Sequence, residues 1–240
     1  MREENLNRLN CLQINTDHIW FLHYHSYHKS LEAALVNNAK GKLLDIGCGN
    51  KPYLDVVTPY ITDYIGCDIV QSSKNCVDIL SPANNIPLQN ETFDTVISTQ
   101  TIEHVEDHQG LVNEAYRLLV PGGAFILSGP MYWPLHEEPY DFFRFTKHGF
   151  VYILENAGFE IKSIESNGGK WAVAGQAFLH ALHPDIYHIK GIKGKVARLL
   201  LRAFGGIRGI NRFFLSLDDR TGDFSNTMNY VVVATKSKRF

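Results

Sequence analysis

The run Lys42-Leu43-Leu44-Asp45-Ile46 is short and apolar and ends in Gly47-Cys48-Gly49. A buried strand that runs straight into a glycine loop has to turn sharply, and it leaves backbone open to close approach by a ligand. Nineteen residues after Gly49, the apolar run Tyr64-Ile65-Gly66-Cys67 ends in Asp68. A carboxylate at the end of the second strand of an open α/β sheet can accept hydrogen bonds from both ribose hydroxyls of a nucleoside. The two features together predict a parallel sheet with a nucleoside-bearing ligand beyond the carboxyl ends of its strands.

The remaining pattern extends that sheet. Cys76 to Leu80 reads as a third strand, Thr95 to Ser98 as a fourth, Ala124 to Ser128 as a fifth, Phe159 to Glu165 as a sixth and Tyr230 to Thr235 as a seventh. Helical spacing runs from about His108 to Leu119, with Pro121-Gly122-Gly123 expected to stop it, and from Lys147 to Asn156, closed by Gly158. Pro52 is well placed for the first turn of a helix after the glycine loop. Strands alternating with helices give the expected fold class, a Rossmann-like α/β domain with a seven-stranded, mostly parallel sheet and helices on both faces. Residues 1–40 read as a helical cap, 41–168 and 224–240 as the core, and 169–223 as a helical insertion between strands six and seven, all in one domain.

At 240 residues, 45% hydrophobic and 20% charged, the chain has ordinary globular composition. Met1 to Asn10 is polar, without a basic and then apolar leader, and no apolar run approaches the ~20 residues of a membrane-spanning helix. Cys11, Cys48, Cys67 and Cys76 form no CxxC pair, so reduced thiols and a cytoplasmic location are expected. A net charge of −2 exerts no global pull towards nucleic acid or anionic membrane. Nucleic acid is not the expected acceptor, because no basic stripe interleaved with aromatics runs beside the glycine loop.

The glycine loop alone would also suit a nicotinamide-dependent oxidoreductase. A dinucleotide fingerprint, however, wants Gly or Ala at position 52, where backbone abuts a pyrophosphate, and this chain has Pro52 after Asn50 and Lys51. Leu43 to Asn50, Asp68, Phe93-Asp94-Thr95-Val96-Ile97 with Gln100 and Glu103-His104-Val105, and Leu119-Val120-Pro121-Gly122-Gly123 resemble the successive motifs of class I S-adenosylmethionine-dependent methyltransferases of the type 11-like group. The likeness spans about residues 41 to 130 in the right order, and His136 to Gly158 is similar to a bacterial branch associated with sugar or surface-polysaccharide pathways. One departure stands out: many relatives carry a further glycine where this chain has Asn50 and Lys51.

The resemblance implies S-adenosyl-L-methionine as donor and S-adenosyl-L-homocysteine as product. Asp45 with the backbone of Gly47, Cys48 and Gly49 would hold the methionine end, Asp68 with Ile69 the ribose, Asp78 and Ile79 the adenine, and Gln100 would close the site. Cys48 and Cys67 read as small packing residues rather than nucleophiles. A non-catalytic binding module of the same fold is the third reading, since methyl transfer need not involve a fixed catalytic side chain.

The expected acceptor is a small molecule or a glycan or lipid-linked precursor, methylated on O or N. His104 and His136, beyond the fourth and fifth strands, are the candidate general bases. His104 and His108 stand four apart, but without a third clear ligand no metal site is expected. Trp133, Tyr140 and Arg144 are the candidate acceptor contacts, a ring-stacking surface and a two-pronged anion binder. The alternative for Arg144 is a structural pair with Asp141 that caps the next helix.

Seven basic and no acidic residues lie between Asp185 and Asp218. Lys195, Arg198 and Arg202 share one helical side against Val196, Leu199, Leu200, Ala203 and Phe204, and Arg208 and Arg212 stand against Ile210, Phe213, Phe214 and Leu217. The pattern predicts amphipathic helices with two outcomes: weak peripheral contact with an anionic inner membrane face through residues 190–215, or packing within the protein or onto a second copy. The oligomeric state is not legible in the sequence.

Overall fold

The computed structural model describes residues 14–203 and 205–237, with backbone alone at 183–187 and 200. The expectations placed on residues 1–13, Cys11 included, and on Phe204 lie outside the described residues. The side chain of Leu200 does as well. The described chain divides into two compact units, one of residues 30–165 and 229–237, the other of residues 14–29 and 166–228.

The first unit is built on a seven-stranded sheet of order β3-β2-β1-β4-β5-β7-β6. Its strands are β1 (Gly41–Ile46), β2 (Ile61–Asp68), β3 (Ile79–Leu80), β4 (Phe93–Thr99), β5 (Leu119–Pro130), β6 (Phe159–Asn167) and β7 (Asn229–Lys236). β1 pairs in parallel with β2 and β4, β2 with β3, and β4 with β5, whereas β7 runs antiparallel to β5. Strand order reverses between β1 and β4, the place where an open α/β sheet leaves a crevice for ligand. Leu43, Leu44, Val96, Ile97, Phe125, Ile126 and Leu127 are fully buried, as expected of central strands covered on both faces.

The helices of this unit are α2 (Leu54–Val57), α3 (His108–Leu118) and α4 (Lys147–Asn156), together with the C-terminal part of α1 (Phe21–Asn38). Asp107 caps α3 by accepting from the Gly110 amide at 2.9 Å, and Thr146 caps α4 by accepting from the Gly149 amide at 3.1 Å. Such caps each stabilise a helix by about 1 kcal/mol.

Three boundaries differ from the sequence reading. α3 ends at Leu118, and Pro121-Gly122-Gly123 lies inside β5 rather than in a stop signal between elements. Proline disfavours helix in the residue before it, here Val120, and the chain is already extended at Leu119, where the strand begins. The third strand contracts to Ile79–Leu80. Its expected first half instead bends back through Gln71, whose side-chain oxygen accepts from the amides of Ser72 and Val77 at 2.9 and 3.0 Å. The helix after the glycine loop is a single turn that starts beyond Pro52 and stops before Pro59, which cannot donate to a continuing helix.

The second unit contains α5 (Lys170–His188), α6 (Gly191–Ala203) and α7 (Gly206–Thr221), the helical insertion between β6 and β7, with the start of α1. Asp218 in α7 accepts from the amides of Gly169, Trp171 and Ala172 at 2.7 to 3.1 Å, so it satisfies the start of α5 from another helix. Gly175 lets α5 and α7 approach closely, since a Cβ there would sit 2.5 Å from Phe214 Cγ. Among the described residues no helix is long and apolar enough to cross a membrane.

Candidate active site

β1 delivers Asp45 to the carboxyl edge of the sheet, and the glycine loop folds over the end of β2. The amides of Gly47 and Cys48 both donate to the Cys67 carbonyl, at 2.8 and 3.1 Å, and the Gly49 amide donates to Asp68 Oδ2 at 3.1 Å. Gly47 has φ +81°, and a Cβ there would run into the Thr101 side chain. These amides are engaged within the protein, so the loop does not present them as a cradle for a pyrophosphate.

Asp45 is 1% exposed, and its Oδ2 accepts from the Tyr64 hydroxyl at 2.6 Å while Oδ1 has no hydrogen-bond partner among the described residues. Burial pushes its carboxyl up to about 7, against the Tyr64 hydrogen bond, and the nearby Asp68 charge adds to the rise. Asp45 lines a cleft together with Gly47, Cys48, Gly49, Tyr53 and Thr99. A buried carboxylate oxygen left without a donor, at the mouth of a cleft, suits a cationic or amine-bearing ligand.

Asp68, 8% exposed, also accepts from the Ile69 amide at 2.7 Å, so it ties the glycine loop to the start of the next turn. Ile69 is exposed beside it. Asp78 Oδ2 accepts from Lys51 Nζ at 2.5 Å and from the Gly66 amide at 2.7 Å, which holds its carboxyl below the usual range in spite of partial burial. Lys51 has φ +54°, a left-handed conformation that favours glycine, at the place where the sequence departs from the expected pattern. Cys48 and Cys67 are free thiols pushed up by burial, Cys67 to about 12, and act as packing groups.

Beyond β4, Gln100 donates from its amide to the Ser128 carbonyl at 3.1 Å and from its side chain to Ser128 Oγ at 3.4 Å. A 3₁₀ turn at Ile102–His104 then faces the loop of residues 131–146. The amides of Phe142 and Phe143 donate to the Glu103 carbonyl, and His104 Nδ1 lies 2.6 Å from the Tyr140 carbonyl. Arg144 clamps the loop: its guanidinium donates to both oxygens of Asp141 at 2.7 and 2.8 Å and to the carbonyls of Trp133, Pro134 and Phe143. The α4 cap is Thr146, so the Asp141–Arg144 pair braces the loop rather than the helix. The rings of His104 and His136 are 4.7 Å apart, centre to centre. Burial, followed by the neighbouring His104, lowers the His136 pKa, so this imidazole is neutral at pH 7. Burial raises the Glu103 carboxyl to about 7, with His104 acting in the opposite direction.

Residues 44–127, from β1 into β5, match the family model of a methyltransferase domain. This stretch, about a third of the chain, is similar to the methyltransferase domains of that family. A probable S-adenosylmethionine-dependent methyltransferase of Mycolicibacterium smegmatis is 29% identical to it over 171 residues, 65% of each chain. A probable tRNA methyltransferase 9B of Homo sapiens is 34% identical over 94 residues, which is 35% of this chain and 20% of that protein. The match therefore spans less than two thirds of either relative. Among solved structures, the methyltransferase in complex with the Trm112 activator of Haloferax volcanii aligns with TM-score 0.58 at 15% identity, over 100% of this chain and 94% of that one. The [4+2]-cyclase SpnF aligns with TM-score 0.55 at 18% identity, over 88% and 82%. These structural likenesses concern the fold.

In this chain Asp45, Gly47, Cys48 and Gly49 share one cleft, and His104 and His136 share another corner of the same sheet edge. His108 stands apart from that pair, packed edge-on against Phe143 at 4.5 Å. Tyr53, Tyr64, Thr99 and Glu103 escaped the sequence reading as site residues. Glu103 was visible only as part of a motif, and the tyrosines carry no local signal, because their role depends on which carboxylate or cleft the fold sets against them.

Proposed function

We propose that this chain is an S-adenosylmethionine-dependent methyltransferase whose donor occupies the cleft at Asp45. The observation that carries this reading is Asp45 Oδ1, buried and unpartnered beside the glycine loop, where the donor's ammonium supplies the missing hydrogen-bond donor. Asp68 and Ile69 would take the ribose, Ile79 and the solvent-facing side of Asp78 the adenine, and Gln100 would close the site from β4. The donor brings an already activated methyl group. The chain's own residues then hold the acceptor in line with it and exclude water, and such placement accounts for most of the rate in reactions of this kind.

The acceptor is proposed to be a small molecule or a glycan or lipid-linked precursor. It would meet the loop after β5 through Trp133 and the exposed Tyr140 ring, with Arg144 holding that loop in shape and His104 and His136 facing the acceptor's reactive group. Calorimetric titration with S-adenosylmethionine tests the donor: saturable binding that is lost in Asp68→Ala is expected, and tight NAD binding without S-adenosylmethionine binding would overturn the assignment. Incubation with methyl-labelled donor and fractionated cell extract tests the acceptor. Label is expected in the water-soluble or lipid fraction, and label confined to nucleic acid or protein would replace the acceptor class.

A second reading concerns α6 by itself. Ile192, Val196 and Leu199, spaced along one face, are 81%, 49% and 67% exposed, with Lys195, Arg198 and Arg202 alongside. An uncovered apolar stripe flanked by basic residues favours weak peripheral contact with anionic membrane over internal packing, each basic residue contributing about 1 kcal/mol near such a surface. Co-sedimentation with anionic vesicles at low salt is expected, and binding that is absent, or unchanged when Lys195, Arg198 and Arg202 become Glu, refutes it.

A further inference from the structure

Three acceptor groups converge beyond β4 and β5 without a donor among them. Glu103 is completely buried, and among the described residues neither of its carboxylate oxygens has a hydrogen-bond partner. His104 and His136 face it, and one ligand-capable atom from each of the three residues lies within 4.8 Å of the others. Both imidazoles are already oriented through Nδ1, that of His104 by the Tyr140 carbonyl at 2.6 Å and that of His136 by Asp141 Oδ2 at 3.2 Å. A carbonyl or a carboxylate oxygen only accepts, so Nδ1 of each ring carries a hydrogen, and it is Nε2 that can offer a lone pair to a metal ion. His104 Nε2 lies 3.9 Å from Glu103 Oε1, too far for a hydrogen bond. The nearby Arg144 directs its donors to Asp141 and to backbone carbonyls.

We propose that Glu103, His104 and His136 bind one divalent transition-metal ion. Two imidazoles and a carboxylate suit Zn²⁺, Co²⁺ or Fe²⁺ better than Ca²⁺ or Mg²⁺, and three protein ligands leave positions open for an oxygen ligand. Asp141 and the Tyr140 carbonyl are the outer groups that fix ring orientation in such sites. The histidine side chains are 15% and 21% exposed while that of Glu103 is enclosed, which gives an ion a way in and an anchor behind. An ion here would polarise an acceptor hydroxyl, with the histidines serving as ligands instead of proton acceptors. The site stands on its own ligands and does not require the methyl-donor reading.

The test is titration of chelator-treated full-length chain with Co²⁺, followed by visible absorption and by competition with Zn²⁺. One Co²⁺ per chain is expected. His104→Ala and His136→Ala are expected to weaken binding by at least about tenfold, and Asp141→Asn by about 10- to 100-fold. Control variant His148→Ala, on the exposed start of α4, should bind as the parent does. Glu103→Gln is included with its melting curve recorded, and because Glu103 is buried, the more exposed His136→Asn keeps the test open if Glu103→Gln does not fold. S-adenosylmethionine titration of His136→Ala is expected to match the parent, so failure of the metal site and failure of the donor site read out separately. Absence of stoichiometric Co²⁺ binding in the parent, or undiminished binding in folded His104→Ala and His136→Ala, overturns the proposal.

Discussion

The loop after β1 and the loop after β5 end at the same edge of the sheet but are held by different means. The first is short and backbone-closed: its amides bond to the Cys67 carbonyl and to Asp68, and its geometry depends on Gly47 having no side chain. The second is longer and closed by side chains, with Asp141 and Arg144 bracing Trp133, Pro134 and Phe143. Each borders one buried carboxylate that lacks a full set of donors among the described residues, Asp45 within β1 for the first and Glu103 in the turn after β4 for the second. A backbone-closed loop offers one fixed shape, suited to an invariant ligand. A loop braced by side chains can change its exposed residues, Tyr140 and Leu135 here, without losing the brace, which suits the variable partner of a two-substrate reaction.

The largest effect is expected at the backbone-closed loop. Gly47→Ala combines a left-handed residue with a clash against Thr101, and together these should cost about 3 kcal/mol or more. Gly222→Ala, at φ +56° with nothing within 4 Å, should cost only about 1 kcal/mol. Urea unfolding of the two variants breaks the comparison if their midpoints shift equally.

Next comes the side-chain brace. Asp141→Ala removes both Arg144 bonds and the partner of His136, an expected loss of about 2–3 kcal/mol. S-adenosylmethionine affinity should stay within about twofold of the parent if the loops are independent, since 1.4 kcal/mol is already tenfold. A large loss of donor affinity in calorimetry would show that the two loops are coupled.

Asp45 sharpens the comparison through pH. Its folded pKa of about 7 exceeds the 3.8 of an unperturbed carboxyl, so the ligand-free folded chain binds more protons than the unfolded chain between those values. Its contribution to stability therefore falls as pH rises through that window. Donor affinity should move the other way, rising up to about pH 7 and then levelling as the carboxylate forms. Asp45→Asn should flatten both profiles and weaken donor binding by about tenfold above pH 7, and an unchanged affinity profile would remove Asp45 from the donor site.

The smallest effect is expected for Lys51→Gly. Relief of the left-handed backbone, worth about 1 kcal/mol, offsets loss of the half-exposed Asp78 pair, so stability should change by less than about 0.5 kcal/mol. A clear destabilisation in thermal melts would mean that Lys51 braces the loop by more than its charge.

The glycine loop, Asp68 and the strand succession could be read directly because short-range steric rules act within a few residues: a φ of +81° at Gly47 requires glycine wherever the turn occurs. The limits of β3, β5 and α2 were less legible, since proline and the side-chain bonds of Gln71 moved them by a few residues. His104 and His136 were legible as separate candidates, but nothing in their spacing says that their rings lie 4.7 Å apart over a buried Glu103. Arg144 was open to two readings, and nothing near it in sequence shows the three carbonyls and the carboxylate that the loop folds around it. By itself the sequence determined the order of elements and the glycine loop at the carboxyl edge of the sheet, because local sterics and hydrophobic periodicity are carried by neighbouring residues. Only the tertiary structure decided which buried carboxylates lack donors, and which imidazoles meet over them, because desolvation and convergence depend on groups brought together from β4 and β5 across more than thirty positions of chain.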